Sequence, residues 1–294
     1  MADIKEPTKT YRGNCHCGAF VYEVDVPEIK STSECNCSIC TKKGYLGLYP
    51  LGRDSFRVVK GAVEDLTNYT FAEGTFHHKF CPTCATPLMI TIPSAPPDNC
   101  LGINIHSIQG VNTWALEREY IDYASKGCKY EVPAYTGRLP AEEVEGGKIY
   151  TGNCHCGAVQ VALASPLLDE TFKDMVGECN CSICERNAYI WVWPRRELVA
   201  LHGDPDDIGR YYCASKLIGK TFCKKCGVQM TNEPASRSDE EIAAMSEQQR
   251  KTWDMVSPMH PVNLRVLNGI DLKDFKGKIL HMEGANAPPF YENP

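Results

Sequence analysis

The chain has 294 residues, enough for two domains of about 100–150 residues each, and 43% of them are hydrophobic while 23% are charged. Its net charge of −6 without a basic tract argues against a nucleic-acid-binding protein, and no apolar run approaches the ~20 residues of a membrane helix. The N-terminal segment MADIKEPTKTYRG lacks the apolar stretch of a secretory signal, so we expect a cytoplasmic protein without membrane partners.

Cysteine is the most unusual component, with 17 copies. In a reducing compartment, closely spaced cysteines are more often metal ligands than disulfides. Fourteen of them follow the pattern C-x-C, C-x-C-x-x-C, C-x-x-C, which occurs twice with offsets between 139 and 144 residues. A period of this length indicates a duplicated domain, because solenoid repeats have periods of roughly 20–50 residues. The other three cysteines are interpreted as small core hydrophobes: Cys100, Cys128 and Cys213.

The first half begins with GNCHCGA at residues 13–19, where Gly18 helps the chain form a tight turn. The next segment, AFVYEVDV, alternates with the two-residue period of a half-buried strand. ECNCSIC at residues 34–40 follows, and then come the strand-like segment YLGLYPL, FCPTC at residues 80–84, and two further strand-like segments, PLMITI and NCLGINIHSI.

The second half repeats this order. GNCHCGA recurs unchanged at residues 152–158 and ECNCSIC at residues 178–184, with AVQVALA predicted as a half-buried strand between them. YIWVWP, FCKKC and PVNLRVLNGI then match the later segments of the first half, so that Asn263 corresponds to Asn104. The sequence therefore predicts a compact, mostly antiparallel β-domain built twice.

The boundaries follow from composition. Residues 126–147 are rich in Gly, Pro and charge and are predicted as a linker between domains at residues 1–125 and 148–294. The second domain carries an insertion at residues 235–260, where Ser238 and Glu241 form a capping box that predicts a helix. An irregular tail ends the chain.

The C-x-C and C-x-x-C motifs predict a structural zinc site in each half. A tight turn aims the two sulfurs of C-x-C at one ion, and C-x-x-C completes a closed tetrahedral site that leaves no position for a substrate. The predicted ligands are Cys15, Cys17, Cys81 and Cys84 in the first half, and Cys154, Cys156, Cys223 and Cys226 in the second.

The C-x-C-x-x-C motif predicts a second zinc in each half, with a different role. Three protein ligands and an open fourth position are typical of a reactive zinc, which deprotonates an incoming thiol and also holds sulfur as a leaving group. This favours carbon–sulfur lyase chemistry, although a non-cysteine side chain that fills the fourth position would make the site structural. The predicted catalytic and metal-binding residues are Cys35, Cys37 and Cys40, and Cys179, Cys181 and Cys184.

Other residues near these motifs have a functional and a structural interpretation. Tyr45 and Tyr189 follow the three-cysteine motif and either orient a substrate oxygen or begin a strand. Gly47 is replaced by Trp191 in the second half, so the first half is expected to have the roomier pocket. His16, within C-H-C, is expected to form hydrogen bonds rather than to bind zinc. Hydrogen bonds to the thiolates are the expected reason why the residues between the cysteines also repeat.

At these residues the chain resembles the glutathione-dependent formaldehyde-activating enzyme family, which includes centromere protein V. The matching features are G-x-C-H-C-G-A, C-x-C-S-x-C and F-C-x-x-C in both halves. The resemblance implies a tandem of Mss4-like zinc-bound β-domains, with a structural zinc at the four-cysteine set and a catalytic zinc at the three-cysteine set. It also implies condensation of formaldehyde with the glutathione thiol to give S-hydroxymethylglutathione. Ala85 departs from the family pattern, which has the glycine that is kept at Gly227.

The function expected from the sequence is therefore that of a zinc-dependent carbon–sulfur lyase with up to two zinc ions per domain. Its substrate is expected to be glutathione, a glutathione conjugate or another small-molecule thiol. The alternative is a non-catalytic zinc scaffold that binds a protein partner, with every metal structural. The sequence leaves open the oligomeric state and whether one or both halves are active.

Overall fold

A computed structural model of the protein describes residues 7–126, 129–273 and 275–294. The chain forms two compact units. The first contains the residues up to Tyr130 together with Glu185–Ala188 and Tyr291–Pro294, and the second contains Glu131–Cys184 and Tyr189–Phe290. Cys128 lies outside the described residues, and no helix in the described part of the chain is long and apolar enough to cross a membrane.

The first unit contains two sheets, and its strands are β1 (Lys9–Asn14), β2 (Val21–Val26), β3 (Ser31–Cys35), β4 (Gly47–Leu51), β5 (Phe56–Lys60), β6 (Thr67–Tyr69), β7 (His77–Phe80), β8 (Pro87–Thr91), β9 (Leu101–Asn104) and β10 (Glu117–Ile121). One helix, α1, spans Ser38–Lys43, and the short 3₁₀ turns are Arg53–Ser55, Val63–Asp65, Ile105–Ser107 and Thr113–Ala115. The smaller sheet has the order β1-β2-β5 and the larger one β10-β3-β4-β9-β8-β7-β6. The pairing is antiparallel except between β10 and β3.

The second unit repeats the arrangement with β11 (Lys148–Asn153), β12 (Val159–Ser165), β13 (Val176–Cys179), β14 (Ile190–Val192), β15 (Val199–Gly203), β16 (Ile208–Tyr212), β17 (Ile218–Cys223), β18 (Gln229–Pro234), β19 (Val262–Asn263) and β20 (Ile279–Met282). The 3₁₀ turns are Arg196–Leu198, Leu264–Val266 and Gly284–Asn286. The sheet orders are β11-β12-β15 and β16-β17-β18-β19-β14-β13-β20, with β20 parallel to β13. Strand for strand this is the order of the first unit, which confirms the predicted β-fold built twice.

The helices are few, as predicted. The three-cysteine motif of the second half runs into α2 (Ser182–Asn187), which contains Cys184. The insertion forms α3 (Asp239–Ala243) and α4 (Glu247–Val256). The predicted capping box opens α3: Ser238 accepts a hydrogen bond from the backbone of Glu241, whose side chain bonds back to Ser238. An equivalent box opens α4.

Two predicted strands differ in detail. The strand β2 is half-buried as expected, but every residue of β12 is buried, including Gln160. The reason is that residues 134–136 cover this side chain: Gln160 donates to the carbonyl of Ala134 and accepts from the backbone N–H of Thr136. The strands β9 and β19 are also shorter than their apolar segments, because each ends at an asparagine and continues as a 3₁₀ turn.

Candidate functional site

The two four-cysteine sets each form one sulfur cluster. C-x-C lies in the turn between the first two strands of each unit, and Gly18 and Gly157 adopt the positive φ angles (70° and 81°) that this turn requires. C-x-x-C lies in the turn between β7 and β8; in the second unit it begins at Cys223, the last residue of β17, and continues into the turn before β18. In both units all four sulfur atoms lie within 4.8 Å of one another: Cys15, Cys17, Cys81 and Cys84, and Cys154, Cys156, Cys223 and Cys226.

These clusters have the dimensions of a metal site. The Cys15–Cys17 and Cys17–Cys81 sulfur distances are both 3.5 Å, and a tetrahedral zinc with bonds of about 2.3 Å places its sulfurs about 3.8 Å apart. The backbone N–H of Phe20 donates to the sulfur of Cys15 at 3.3 Å, and Val159 does the same for Cys154 at 3.2 Å. Such bonds stabilise thiolates. The donor set therefore fits a tetrahedral, sulfur-binding ion.

The two three-cysteine sets form a second kind of cluster. In the first unit Cys35 ends β3, Cys37 caps α1 and Cys40 lies within this helix, which ends where Gly44 turns left-handed with a φ of 62°. The three sulfurs lie within 4.8 Å of one another, as do those of Cys179, Cys181 and Cys184 in the second unit. Among the residues that the structure describes, no fourth Cys, His, Asp or Glu completes either group. Each group therefore supplies three of the four ligands that a tetrahedral zinc takes.

Without a metal, the three thiols of the first three-cysteine cluster have different pKa values. Hydrogen bonds from the thiols of Cys37 and Cys40 lower the pKa of Cys35 to about 3, and backbone N–H groups add to this effect. The same contact with Cys35 raises the pKa of Cys37 to about 11, and hydrogen bonding and burial raise that of Cys40. The cluster therefore holds one thiolate and two thiols at neutral pH, and a metal that binds all three as thiolates displaces two protons.

The asparagine between the first two cysteines has a role that the sequence did not reveal. The side chain of Asn36 donates to Asp122 at 2.8 Å and accepts from the backbone N–H groups of Tyr123 and Ala124, both at 2.9 Å. Its own backbone N–H donates to Ile121, the last residue of β10. Asn36 therefore fastens the three-cysteine loop to a segment more than 80 residues away.

The second unit repeats this clamp. Asn180 donates to Glu283, accepts from the backbone N–H of Ala285 at 2.9 Å, and donates its own N–H to Met282 at the end of β20. We expected the residues between the cysteines to repeat because they bond to the thiolates. The asparagine instead holds the neighbouring strand end in place, and this explains why it recurs with the ligands.

A second asparagine positions the tyrosine that follows each three-cysteine loop. The side chain of Asn104 accepts from the backbone N–H of Leu46 and donates to the carbonyl of Pro87 at 2.8 Å. Asn263 makes the same pair of bonds, to Ile190 and to Gln229. Tyr45 lies two residues before β4 and Tyr189 lies directly before β14, so each tyrosine stands just ahead of the equivalent strand.

The hydroxyl groups of these two tyrosines have different surroundings. Tyr189 donates a hydrogen bond of 2.6 Å to the side chain of Gln229. The corresponding position in the first unit is Pro87, and the buried hydroxyl of Tyr45 has no hydrogen-bond partner among the described residues. Burial raises the pKa of Tyr45, and Cys40 and Cys37 raise it further when they are ionised, so the hydroxyl keeps its proton. The first unit therefore holds an uncommitted donor near its three-cysteine cluster.

The two three-cysteine clusters also differ in the side chains that pack beside them. In the second unit Trp191 is buried, stacks on Tyr189 with 4.3 Å between ring centroids, and packs in a cluster with Ile183 and Cys184. The first unit has Gly47 at this position, and a Cβ built there would meet only ordinary van der Waals contacts with Ser33. The aromatic ring that fills this region in the second unit is therefore missing from the first.

The histidine of the first C-H-C motif and two of the unmatched cysteines lie outside the sulfur clusters. His16 does not join the sulfur atoms of the described clusters: its ring stacks on that of Tyr291, with 4.6 Å between centroids. Cys100 is buried, in agreement with its interpretation as a core residue, and Cys213 packs beside the Trp191 cluster. None of the cysteines that the structure describes forms a disulfide.

A comparison with known protein families agrees with this organisation. The family described as glutathione-dependent formaldehyde-activating enzyme matches residues 10–120 and again residues 149–258. A crystal structure of a Rhodobacter sphaeroides protein is 32% identical over 37% of this chain and 99% of its own, with a TM-score of 0.33. The two family matches together span most of the chain and contain both kinds of sulfur cluster in each half. The chain therefore belongs to the glutathione-dependent formaldehyde-activating enzyme family.

Proposed function

We propose that this protein is a zinc-dependent carbon–sulfur lyase that acts on a thiol adduct, with glutathione and formaldehyde as the first substrate pair to test. The observation that carries the proposal is the three-cysteine cluster, in which three sulfurs within 4.8 Å have no fourth ligand among the described residues. Membership of a family named for glutathione-dependent formaldehyde activation supports the same substrate class. So many uncrosslinked thiols favour a reducing compartment, and we propose the cytoplasm.

The reaction follows from the donor set. Cys35, Cys37 and Cys40 would hold a zinc ion, which would favour the thiolate form of a substrate thiol. The substrate sulfur forms a bond to the formaldehyde carbon, the carbonyl π pair moves onto oxygen, and that oxygen takes up the proton that the thiol has lost. The reverse reaction breaks the carbon–sulfur bond. The hydroxyl of Tyr45 donates a hydrogen bond to this oxygen, where negative charge develops.

We assign this activity to the first half. Its tyrosine hydroxyl has no hydrogen-bond partner among the described residues, and Gly47 leaves space where the second half has Trp191. In the second half Tyr189 is already bonded to Gln229, and the aromatic packing around the cluster favours a structural role for its metal. We therefore propose four metal sites in the chain, of which one is catalytic.

The direct test compares two matched variants, Cys37→Ser and Cys181→Ser, with the wild type. Exchange between glutathione and S-hydroxymethylglutathione is followed by NMR, in the presence of formaldehyde, and bound zinc is counted after mild chelation. Cys37→Ser is expected to abolish the catalysed exchange, and Cys181→Ser to keep it, while the four-cysteine metals stay bound in both. A screen of other thiols and thioethers follows if glutathione is not turned over.

The non-catalytic scaffold is the competing function, and the same experiment distinguishes the two. An enzyme is expected to hold the four-cysteine zinc ions tightly and the catalytic zinc ion of the first half more weakly. A wild-type protein that retains all its zinc equally under chelation, and that turns over no sulfur compound, would contradict the lyase proposal and favour the scaffold.

A further inference from the structure

Each unit contains one buried lysine whose ammonium lies over the tyrosine that follows the three-cysteine loop. In the first unit the Nζ atom of Lys43 is 5.8 Å from the ring centroid of Tyr45 and 4.5 Å from that of Phe80. In the second unit the Nζ atom of Lys220 is 5.6 Å from the ring centroid of Tyr189 and 5.1 Å from that of Trp191. Only 3% of Lys43 and 7% of Lys220 is exposed.

These two lysines do not correspond to each other in the repeat. Lys43 is the last residue of α1, and three residues after the last cysteine of the motif the second half has Asn187. Lys220 lies on β17, and the equivalent residue of β7 is His78. The strand register supports this match, because His78 pairs with Tyr69 just as Lys220 pairs with Tyr211. The cation therefore comes from a helix in one unit and from a strand in the other, yet lies over the same tyrosine.

Such a relocation indicates that the position of the charge matters more than the residue that carries it. Lysine is rarely buried unless it offsets a negative charge or an electron-rich ring, because removing an ammonium from water is costly. The three-cysteine cluster supplies a negative charge: three thiolates on a divalent ion have a net charge of −1, and a substrate thiolate would add another.

Packing links each charge to the cysteine cluster of its own unit. Tyr189 and Trp191, the two rings that the ammonium of Lys220 lies over, pack in one buried group with Cys184, and Cys179 and Cys181 pack against that group. In the first unit Lys43 lies on the same helix as Cys40, three residues after it.

We propose that Lys43 and Lys220 are functional equivalents: each is the buried counter-charge that stabilises the thiolate-bound metal at the three-cysteine cluster of its own unit. This inference rests on the metal assignment of the proposed function but does not depend on the substrate or on turnover. Both lysines are positioning residues, since they act through the thiolates.

The test uses Co²⁺ as a spectroscopic probe in the full-length protein, because its thiolate charge-transfer and d–d bands report metal bound by sulfur. Cys181→Ser serves as the background in which only the first three-cysteine cluster is complete, and Cys37→Ser as the background for the second. Affinity is measured by competition with a chelator. Lys43→Met keeps the length of the side chain and removes its charge, and is expected to weaken Co²⁺ binding about 10–100-fold in the first background. Lys220→Met is expected to do the same in the second.

Moving the lysine to another position distinguishes the effect of its charge on metal affinity from the effect of its packing. The double variant Lys43→Asn with His78→Lys rebuilds the arrangement of the second unit in the first, and is expected to restore the affinity to within about threefold of the parent. The reverse pair, Asn187→Lys with Lys220→His, is the matched control for the second half of the chain.

The possible results distinguish failure of this inference from failure of the metal assignment and of the proposed reaction. Unchanged affinity in both methionine variants, or a loss that the relocated lysine does not restore, would overturn the inference while leaving the proposed function intact. Should a methionine variant fail to fold, the relocation variant alone decides, since it retains the charge. If the parent proteins bind no Co²⁺ at the three-cysteine clusters, both the inference and the metal assignment fail. If they bind Co²⁺ but catalyse no exchange, only the proposed reaction fails.

Discussion

The hydroxyl groups of Tyr45 and Tyr189 are expected to have opposite importance for stability and for rate. Tyr189 donates a 2.6 Å hydrogen bond to the buried side chain of Gln229, so Tyr189→Phe leaves an amide oxygen without its donor. Losing one partner of a buried hydrogen bond costs about 1–3 kcal/mol of unfolding free energy. Tyr45 has no such partner in the described structure, so Tyr45→Phe is expected to leave the stability unchanged or slightly higher.

The effects on rate are expected to be reversed. If the Tyr45 hydroxyl donates to the oxygen that gains charge in the reaction, Tyr45→Phe lowers kcat about 10²–10³-fold, the usual loss for one such donor. Tyr189→Phe is expected to leave kcat within about twofold of the wild type, because its hydroxyl is committed to Gln229.

Two measurements on the zinc-loaded protein test this contrast: thermal unfolding followed by circular dichroism, and glutathione exchange followed by NMR. For a domain of this size, each kcal/mol of lost unfolding free energy lowers Tm by about 2–4 °C. The substitution Pro87→Gln is a further control, since it offers Tyr45 the partner that Tyr189 has, and it is expected to lower kcat. The reasoning is refuted if Tyr45→Phe keeps full activity, or if both phenylalanine variants lose activity equally.

Three further predictions concern backbone strain, pH and the clamp. Ala85 has a φ of 53° at the buried turn where the second half has Gly227, so Ala85→Gly is expected to raise, and Gly227→Ala to lower, the unfolding free energy in denaturant by about 1 kcal/mol. If both substitutions changed the unfolding free energy in the same direction, this prediction would be wrong. Burial lowers the pKa of His260 to about 4. Between pH 6.5 and 4 this histidine is therefore protonated in the unfolded chain but not in the folded one. The unfolding free energy falls by about 3 kcal/mol as the pH drops through this window. His260→Phe is expected to remove this part of the pH dependence, which paired denaturation curves of variant and wild type will show. Asn36→Ala is expected to weaken metal binding at the first three-cysteine cluster about tenfold, measured by competition with a chelator. Asn180→Ala is the matched change in the second half. Unaltered metal affinities in both variants would mean that the asparagine does not shape the site.

The sulfur clusters and the repeated β-fold could be predicted because their signals are local. Metal geometry restricts the spacing of cysteines such as Cys15 and Cys17, and the alternation of AFVYEVDV is itself the pattern of a half-buried strand. The capping box at Ser238 is equally local, since its two partners lie three residues apart.

The features that escaped prediction depend on residues far apart in the chain. Nothing in the sequence around Asn36 indicates that its partners lie at residues 122–124. The burial of Gln160 depends on residues 134–136, which precede its domain in the predicted boundaries. The match between Lys43 and Lys220 is not visible in an alignment, because the two residues stand at different positions of the repeat while each ammonium lies over the equivalent tyrosine ring.

The asparagine clamp has a consequence for how the protein matures. The ligands of the first three-cysteine loop have all been synthesised by Cys40, but the backbone that Asn36 grips lies at residues 121–124. A ribosome-bound chain must therefore emerge past this segment before the loop acquires its final shape, and past residue 285 for the second loop. Premature termination or proteolytic clipping just before either segment leaves three reactive thiols on an unsupported loop.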